Sequence, residues 1–119
     1  MEERRQHRIY KIHRNEWPWG ISYELIFDKG NGLVGLSFEN GCPGSFLSSL
    51  SVLEENRCKG LGSYMLRYCE KLSKTNGKVF VQAYVDPEYP HNLEWYKKRG
   101  YKEINNPENN HYILIEKQI

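Results

Sequence analysis

The sequence predicts an α+β domain built on a mixed, mostly antiparallel sheet of six to seven strands. Three observations lead to this prediction. The first half of the chain consists of short strand-like segments separated by turns that contain Gly or Pro. The middle carries one amphipathic helical pattern, and a near-continuous apolar run follows it, which is typical of a strand buried on both faces. The length of 119 residues suits a single domain over residues 1–119.

The first half is predicted to be an antiparallel meander. Turns are expected at residues 17–20 (Trp-Pro-Trp-Gly), 28–32 (Asp-Lys-Gly-Asn-Gly) and 39–44. The strands between and around them span residues 8–13, 21–27, 33–38 and 46–53. Gly30, Gly32 and Gly35 have the G-x-G-x-x-G spacing of dinucleotide-binding loops, but no helical pattern opens at the third glycine. A hairpin turn therefore explains these glycines.

The second half contains the two predicted helices. Apolar side chains recur at helical spacing over residues 60–74, namely Leu61, Tyr64, Met65, Tyr68, Cys69 and Leu72. A buried strand is expected next, over residues 78–85, and then a short helix over residues 91–99 that Gly100 ends. Two closing strands are expected over residues 101–104 and 111–116. The strands that flank the first helix form a β-α-β crossover and should be parallel neighbours.

Composition and charge exclude several classes of function. The net charge of +2 is too small to indicate nucleic-acid binding. A basic cluster near the start is interpreted as a solvated arm; it comprises Arg4, Arg5, Arg8, Lys11 and Arg14. No apolar run approaches the roughly 20 residues of a membrane span, and no signal peptide is visible, so a cytoplasmic location is expected. Three cysteines and four histidines lack the spacing of a disulfide framework or a metal site, so no metal is expected.

The segment from residue 57 to 63 joins a predicted strand to the first predicted helix. The amide groups at a helix N-terminus lack intrahelical partners and carry partial positive charge, so they bind phosphate groups. Glycines there let the backbone approach an anion closely, and basic side chains add full charges. A plain flexible loop is the alternative. The predicted anion site comprises Arg57, Cys58, Lys59, Gly60, Leu61, Gly62 and Ser63.

Two motifs resemble those of the GNAT superfamily of N-acetyltransferases. Residues 57–62 resemble its acetyl-CoA motif, Gln/Arg-x-x-Gly-x-Gly/Ala, and Trp95-Tyr-Lys-Lys-Arg-Gly-Tyr101 resembles its second motif. The resemblance covers about residues 46–104 and is closest to the polyamine-acetyltransferase-like branch. It implies acetyl-CoA as cosubstrate and transfer of the acetyl group to a primary amine by direct attack. The acceptor is left open among a polyamine, an aminoglycoside, an amino acid and a protein lysine.

The resemblance also implies roles for individual residues. In the superfamily the two central parallel strands separate, and the pantetheine arm pairs with the first of them like an added strand. Tyr96 matches the tyrosine that protonates the departing thiolate, although simple core packing is the alternative. Asn92 is expected to contact the cofactor in place of an asparagine found three residues earlier, where this chain has Tyr89. The pantetheine-binding residues are expected within residues 50–53, as Leu50, Val52 and Leu53.

Two departures from the superfamily bear on the acceptor. Ser48 and Ser49 occupy the place where related enzymes often have a glutamate base, so the base is left open among Glu39, Glu24, Glu54 and a water chain. Only about seven residues separate His13 from Ile21, where the superfamily normally has two helices that form a wall of the acceptor site.

An open acceptor side favours a bulky acceptor such as a lysine on a protein surface. It could also be closed by residues 17–19 or by a second subunit of a homodimer. The alternative function is a non-catalytic CoA-binding module that acts through protein partners.

Overall fold

The computed structural model describes residues 6–53, 60–108 and 110–119. Two helices lie in this part of the chain, α1 (Leu61–Thr75) and α2 (Pro90–Lys97), with a short 3-10 turn at Asp28–Gly30. The described strands are β1 (Ile9–Trp17), β2 (Gly20–Phe27), β3 (Gly32–Glu39), β4 (Gly44–Val52), β5 (Phe80–Val85), β6 (Lys102–Ile104) and β7 (Ile113–Gln118).

The seven strands form one mixed sheet in the order β1-β2-β3-β4-β5-β7-β6. All neighbours are antiparallel except β4 and β5, which are parallel and are connected through α1. The predicted α+β class, the meander of the first half and the β-α-β crossover are confirmed. None of the described helices is long and apolar enough to cross a membrane.

The first turn is shorter than the sequence predicts. Trp17 belongs to β1 and Gly20 to β2, so the turn predicted over residues 17–20 is present but consists only of Pro18 and Trp19. The indole of Trp17 donates a hydrogen bond of 2.8 Å to the Ser22 hydroxyl, which holds the last pair of the hairpin together. Its ring also stacks on that of Trp19 at 6.3 Å between centroids. The two helices that the superfamily places at this connection are absent from it.

Smaller differences concern the ends of the central strands. β4 begins at Gly44 rather than at residue 46, and Leu53 lies beyond its end. β5 begins at Phe80, because the preceding residue is held by a different bond, from the Val79 amide to the Pro43 carbonyl at 2.8 Å. The Phe80 ring occupies the space where a side chain at position 44 would lie, so only glycine fits there.

One face of the sheet packs against α1 and forms the core. Fully buried side chains of this core include Leu25, Phe27, Val34, Leu36, Met65, Cys69, Val81 and Ile115. Ser45 in β4 and Ser73 in α1 are also buried, and their hydroxyls share a hydrogen bond of 2.7 Å. α2 approaches the start of α1, where a Cβ atom at Gly62 would lie 3.2 Å from the Trp95 ring, and after α2 the Tyr101 hydroxyl donates to Glu70 of α1 at 2.9 Å.

The opposite face of the sheet, called the open face below, carries the alternate residues of each strand. Across the central strands it presents Glu24, Gly35, Phe46, Ser48, Gln82 and Tyr84; their neighbours in sequence point toward the core, except Ser49, which is exposed. Neither of the described helices covers this face.

Candidate active site

β4 and β5 separate after the first four residue pairs. They pair from Gly44 with Phe80 to Leu47 with Ala83, and beyond that β4 pairs only with β3 in the described structure. Ser49 adopts a left-handed backbone with φ of 54°, where the register between β3 and β4 also shifts. A β-bulge of this kind bends a strand and increases its twist. The result is a gap between the C-terminal halves of two parallel strands.

The gap opens into a cleft of about 1190 Å³ between β4, β5, the start of α1 and α2. A strand edge without a partner can pair with an extended ligand through its backbone groups. Seven of the residues predicted for cofactor binding or catalysis line this cleft: Leu50, Val52, Gly60, Gly62, Ser63, Asn92 and Tyr96. These residues come from β4, the start of α1 and α2, so residues predicted from separate parts of the sequence line one cleft.

The other predicted residues lie elsewhere. Leu53 follows β4 and is not part of the cleft lining, and its amide donates to the Asn31 carbonyl at 2.9 Å, so this N–H is not open to a ligand. Leu61 has its side chain in the core, with 2% exposed, which leaves only its backbone for a ligand. Arg57, Cys58, Lys59 and the candidate base Glu54 lie outside the described residues.

The start of α1 presents its amides at the mouth of the cleft. Gly60 is the N-cap, with a left-handed φ of 82°, and none of the described side chains caps the first turn. Gly62 lies against the Trp95 ring, since a Cβ atom there would be 3.2 Å from the ring. Uncapped amides at a helix N-terminus favour an anion. The described part of the glycine-rich segment thus lies at a helix N-terminus that opens onto the cleft.

Sequence reasoning missed Arg99, which supplies a positive charge at the same place. Its guanidinium donates to the Ser63 hydroxyl from Nε and Nη2, at 3.0 and 2.7 Å, and from Nη1 to the Trp95 carbonyl at 2.9 Å. It also lies over the Trp95 ring, 4.0 Å from the centroid. Arg99 and Ser63 are 36 residues apart, so no local pattern predicts the contact. In the sequence Arg99 is only one of three basic residues in a turn.

Tyr96 lines the cleft and is packed between two aromatic rings. Its ring packs against Trp95 and Tyr101, at 5.0 and 5.3 Å between centroids. Burial raises the pKa of Tyr96 to about 12, with a smaller contribution from Cys69. The phenol is therefore fully protonated near neutral pH. No described residue forms a hydrogen bond with its hydroxyl, and Tyr96 is one of the residues that line the cleft.

The two described candidate bases, Glu24 and Glu39, lie at different distances from the gap between β4 and β5. Glu24 of β2 lies opposite Gly35 of β3, which lies opposite Ser48 of β4, so the three share one row across the open face. Two strand spacings put Glu24 about 10 Å from Ser48 between Cα atoms, and Gly35 has no side chain in between. Glu39 pairs with Gly20 at the other end of β3, about 13 Å farther along the strand than Gly35. Glu24 is thus the described candidate closest to the gap.

Comparison with known proteins shows which family the sequence resembles. The family model described as acetyltransferase (GNAT) family matches residues 4–101. No curated protein matches the chain in sequence.

Solved acetyltransferase structures share the fold at low identity. One is the IAA acetyltransferase from Bacillus cereus, at 16% identity and a TM-score of 0.69, covering 85% of this chain and 79% of that one. A second is the PaiA N-acetyltransferase from Thermoplasma acidophilum in complex with coenzyme A, at 21% identity and a TM-score of 0.70, covering 82% of this chain and 60% of that one. A third is an aminoglycoside 6'-N-acetyltransferase complexed with coenzyme A, at 20% identity and a TM-score of 0.63, covering 85% of this chain and 73% of that one. Since the family model spans most of the sequence and the fold is the one these enzymes share, the chain belongs to the GNAT acetyltransferase family.

Proposed function

We propose that this protein is an acetyl-CoA-dependent N-acetyltransferase that transfers an acetyl group to a primary amine by direct attack. The observation that carries the proposal is the gap between β4 and β5, with Tyr96 beside it and the N-terminus of α1 at its mouth. Two of the structurally similar acetyltransferases were solved with coenzyme A, which supports the same cosubstrate here.

The described residues fit acetyl-CoA along its length. The uncapped amides at residues 60–63 and the Arg99 guanidinium suit its pyrophosphate. The part of β4 beyond its last pair with β5, which includes Leu50, suits the amide groups of the pantetheine arm. Asn92 is exposed on α2 and lines the same cleft, where it can add a polar contact. When bound, acetyl-CoA supplies the thioester carbonyl that the amine attacks.

The protein's own residues then manage the protons. As the new carbon–nitrogen bond forms and the carbon–sulfur bond breaks, the Tyr96 hydroxyl donates a proton to the departing sulfur. The amine loses its proton toward the open face, to Glu24 through water or to solvent directly. Because the pKa of Tyr96 is raised to about 12, this donor stays protonated across the range in which amines titrate.

The test is acetyl transfer from isotope-labelled acetyl-CoA to a panel of small primary amines and to proteins of a cell extract, read by mass spectrometry. We expect labelled acetyl amides with the wild type and a large loss of rate with Tyr96→Phe. Acetyl-CoA should also raise the melting temperature, because it binds only the folded state. No thermal shift at millimolar acetyl-CoA overturns the proposal. A thermal shift without transfer to any acceptor identifies a non-catalytic CoA-binding module instead.

A further inference from the structure

β1 forms one edge of the sheet, and no described strand pairs with its outer side. It is nine residues long, and every residue after Ile9 is exposed. The other edge strand, β6, has only three residues, of which two are Lys102 and Glu103. Short strands and charged side chains protect a sheet edge from pairing with another chain. β1 is not short, so it offers unpaired backbone groups along a length of about 30 Å.

β1 also exposes apolar side chains. Tyr10, Ile12 and Trp17 are 53%, 50% and 49% exposed. The Trp17 ring stacks on that of Trp19, which is itself 45% exposed at the end of the hairpin. A long sheet edge with exposed apolar side chains is a surface to which a further strand can be added.

Pairing with a second copy of this chain has a symmetry requirement. Two identical edge strands pair antiparallel about a two-fold axis perpendicular to the sheet, so every contact occurs twice. The axis keeps the open faces of both sheets on one side, so each residue meets a residue of its own face. The axis therefore passes through a residue of β1 that lies opposite its own copy. The regular part of this edge is residues 11–17, since the register with β2 shifts between Ile9 and Lys11.

The charges on β1 select the position of this axis. An axis at Lys11 or Arg14 sets two like charges directly opposite each other, which destabilises a strand pair. An axis at either residue between them brings together no opposite charges within residues 11–17. An axis at Asn15 sets Arg14 opposite Glu16 of the second copy twice, and the two Asn15 amides opposite each other. Arg14 and Glu16 share one face, where they form a 2.8 Å ion pair and are 45% and 72% exposed.

The open face of the same arrangement brings two aromatic rings together. His13 lies opposite Trp17 of the second copy, because each of them is two residues from Asn15. Aromatic pairs across neighbouring strands stabilise a sheet, and the contact removes part of the exposed Trp17 ring from water. The Trp17 indole is already held by its hydrogen bond to Ser22, so its ring is positioned before the second copy arrives.

From this pattern we propose that two copies of the chain form a dimer by antiparallel pairing of β1 with β1, with the two-fold axis at Asn15. The two seven-stranded sheets then form one continuous sheet, and Arg14 of each copy pairs with Glu16 of the other. The contact consists mainly of one strand pair, which is less than a permanent dimer buries, so we expect a dissociation constant in the micromolar range.

The dimer leaves both clefts open. β2 and β3 lie between β1 and β4, so the nearest strand of the second copy is four strand spacings, about 19 Å, from β4. Each chain therefore keeps its own cleft, and the inference does not depend on the proposed function.

Sedimentation velocity tests the dimer over protein concentrations from about 1 µM to about 500 µM. We expect the wild type to change from monomer to dimer within this range. Glu16→Arg should weaken the dimer by about tenfold or more, because the symmetry turns two attractive pairs into two repulsive ones. Arg14→Glu/Glu16→Arg exchanges the charges and should restore the dimer, which a mere defect in folding would not allow. Glu88→Arg, in the exposed segment before α2, is the matched control and should behave like the wild type.

A cysteine variant locates the axis. A residue on the axis lies about 5 Å from its own copy, which is close enough for a disulfide. Asn15→Cys should therefore give a disulfide-linked dimer on mild oxidation, whereas Ile12→Cys should give no more than the wild type with its own cysteines. A wild type that stays monomeric, or a Glu16→Arg variant that dimerises as tightly as the wild type, overturns the inference. A wild-type dimer without any acetyl transfer overturns the proposed function and leaves the dimer supported.

Discussion

The guanidinium of Arg99 donates two hydrogen bonds to the Ser63 hydroxyl, at 2.7 and 3.0 Å, across the junction of the two helices. The contact fixes a full positive charge beside the uncapped first turn of α1. The Trp95 ring supports the guanidinium from its other side. A flexible basic side chain thus becomes a preorganised partner for an anion, which lowers the entropy cost of binding.

Arg99→Ala should weaken acetyl-CoA binding by about tenfold, or about 1.4 kcal/mol, because a charge-assisted contact is lost. Arg99→Lys should restore part of the affinity, since a lysine keeps the charge without the planar fork. Isothermal titration calorimetry measures both. Arg67→Ala is the control, because Arg67 is exposed on α1 and does not line the cleft. An unchanged Kd for Arg99→Ala would remove Arg99 from the cofactor site.

Tyr96→Phe should lower kcat by about 100-fold and leave the Kd for acetyl-CoA nearly unchanged, because it removes one proton donor and keeps the ring. Steady-state kinetics and calorimetry give the two values. Tyr64→Phe, on α1 outside the cleft, should retain full activity. If Tyr96→Phe turns over at the wild-type rate, Tyr96 has only a packing role.

Glu24→Gln should lower kcat/KM for the amine by about tenfold, mainly on the acidic side of the pH profile. The reason is that the variant lacks the carboxylate that would accept the amine's proton through water, on the strand row that Glu24 shares with Gly35 and Ser48. Glu39→Gln, at the other end of β3, should behave like the wild type. The pH dependence of kcat/KM for each variant is the measurement. Identical profiles for both variants would indicate that solvent alone deprotonates the amine.

Ser45→Ala should lower the free energy of unfolding by about 1–2 kcal/mol, because it leaves the buried Ser73 hydroxyl without its partner. The double variant Ser45→Ala/Ser73→Ala should lose less than the sum of the two single variants, since neither polar group remains buried. Urea denaturation of the four proteins gives the values. Additive losses would show that the 2.7 Å hydrogen bond contributes nothing of its own.

The buried Cys69 thiol should make stability depend on alkaline pH. Burial, with a smaller effect of Glu70, raises its pKa from 9.0 to about 12. A raised pKa means that the folded state holds the proton more tightly, so this contribution is complete below pH 9.0 and is lost as the pH rises toward about 12. Cys69→Ala should therefore lose less stability over this window than the wild type, as urea unfolding at several pH values would show. Cys42→Ala, which changes a partly exposed cysteine, should show the same pH dependence of stability as the wild type. If the stability of Cys69→Ala falls with pH as steeply as that of the wild type, the expectation is contradicted.

Much of the fold could be predicted because its signals are local. The apolar stripe of α1 and the strands predicted at residues 21–27 and 33–38 follow from short stretches of sequence, and the structure confirms them. The start of α1 and Tyr96 could be predicted as parts of one site because short motifs carry them. The turn near Pro18 could also be predicted, but not the end of β1 at Trp17, whose indole is held by a hydrogen bond to Ser22 on the next strand.

By itself the sequence determined the α+β class, the β-α-β unit and the glycine-rich start of α1, because periodicity and the chemistry of a helix end are properties of neighbouring residues. Only the tertiary structure decided where β4 and β5 separate, which glutamate lies in a row with Ser48, and that Arg99 meets Ser63. It also left the outer edge of β1 without a partner among the described strands. These relationships depend on strand register and helix packing, which are set by contacts between residues far apart in the chain.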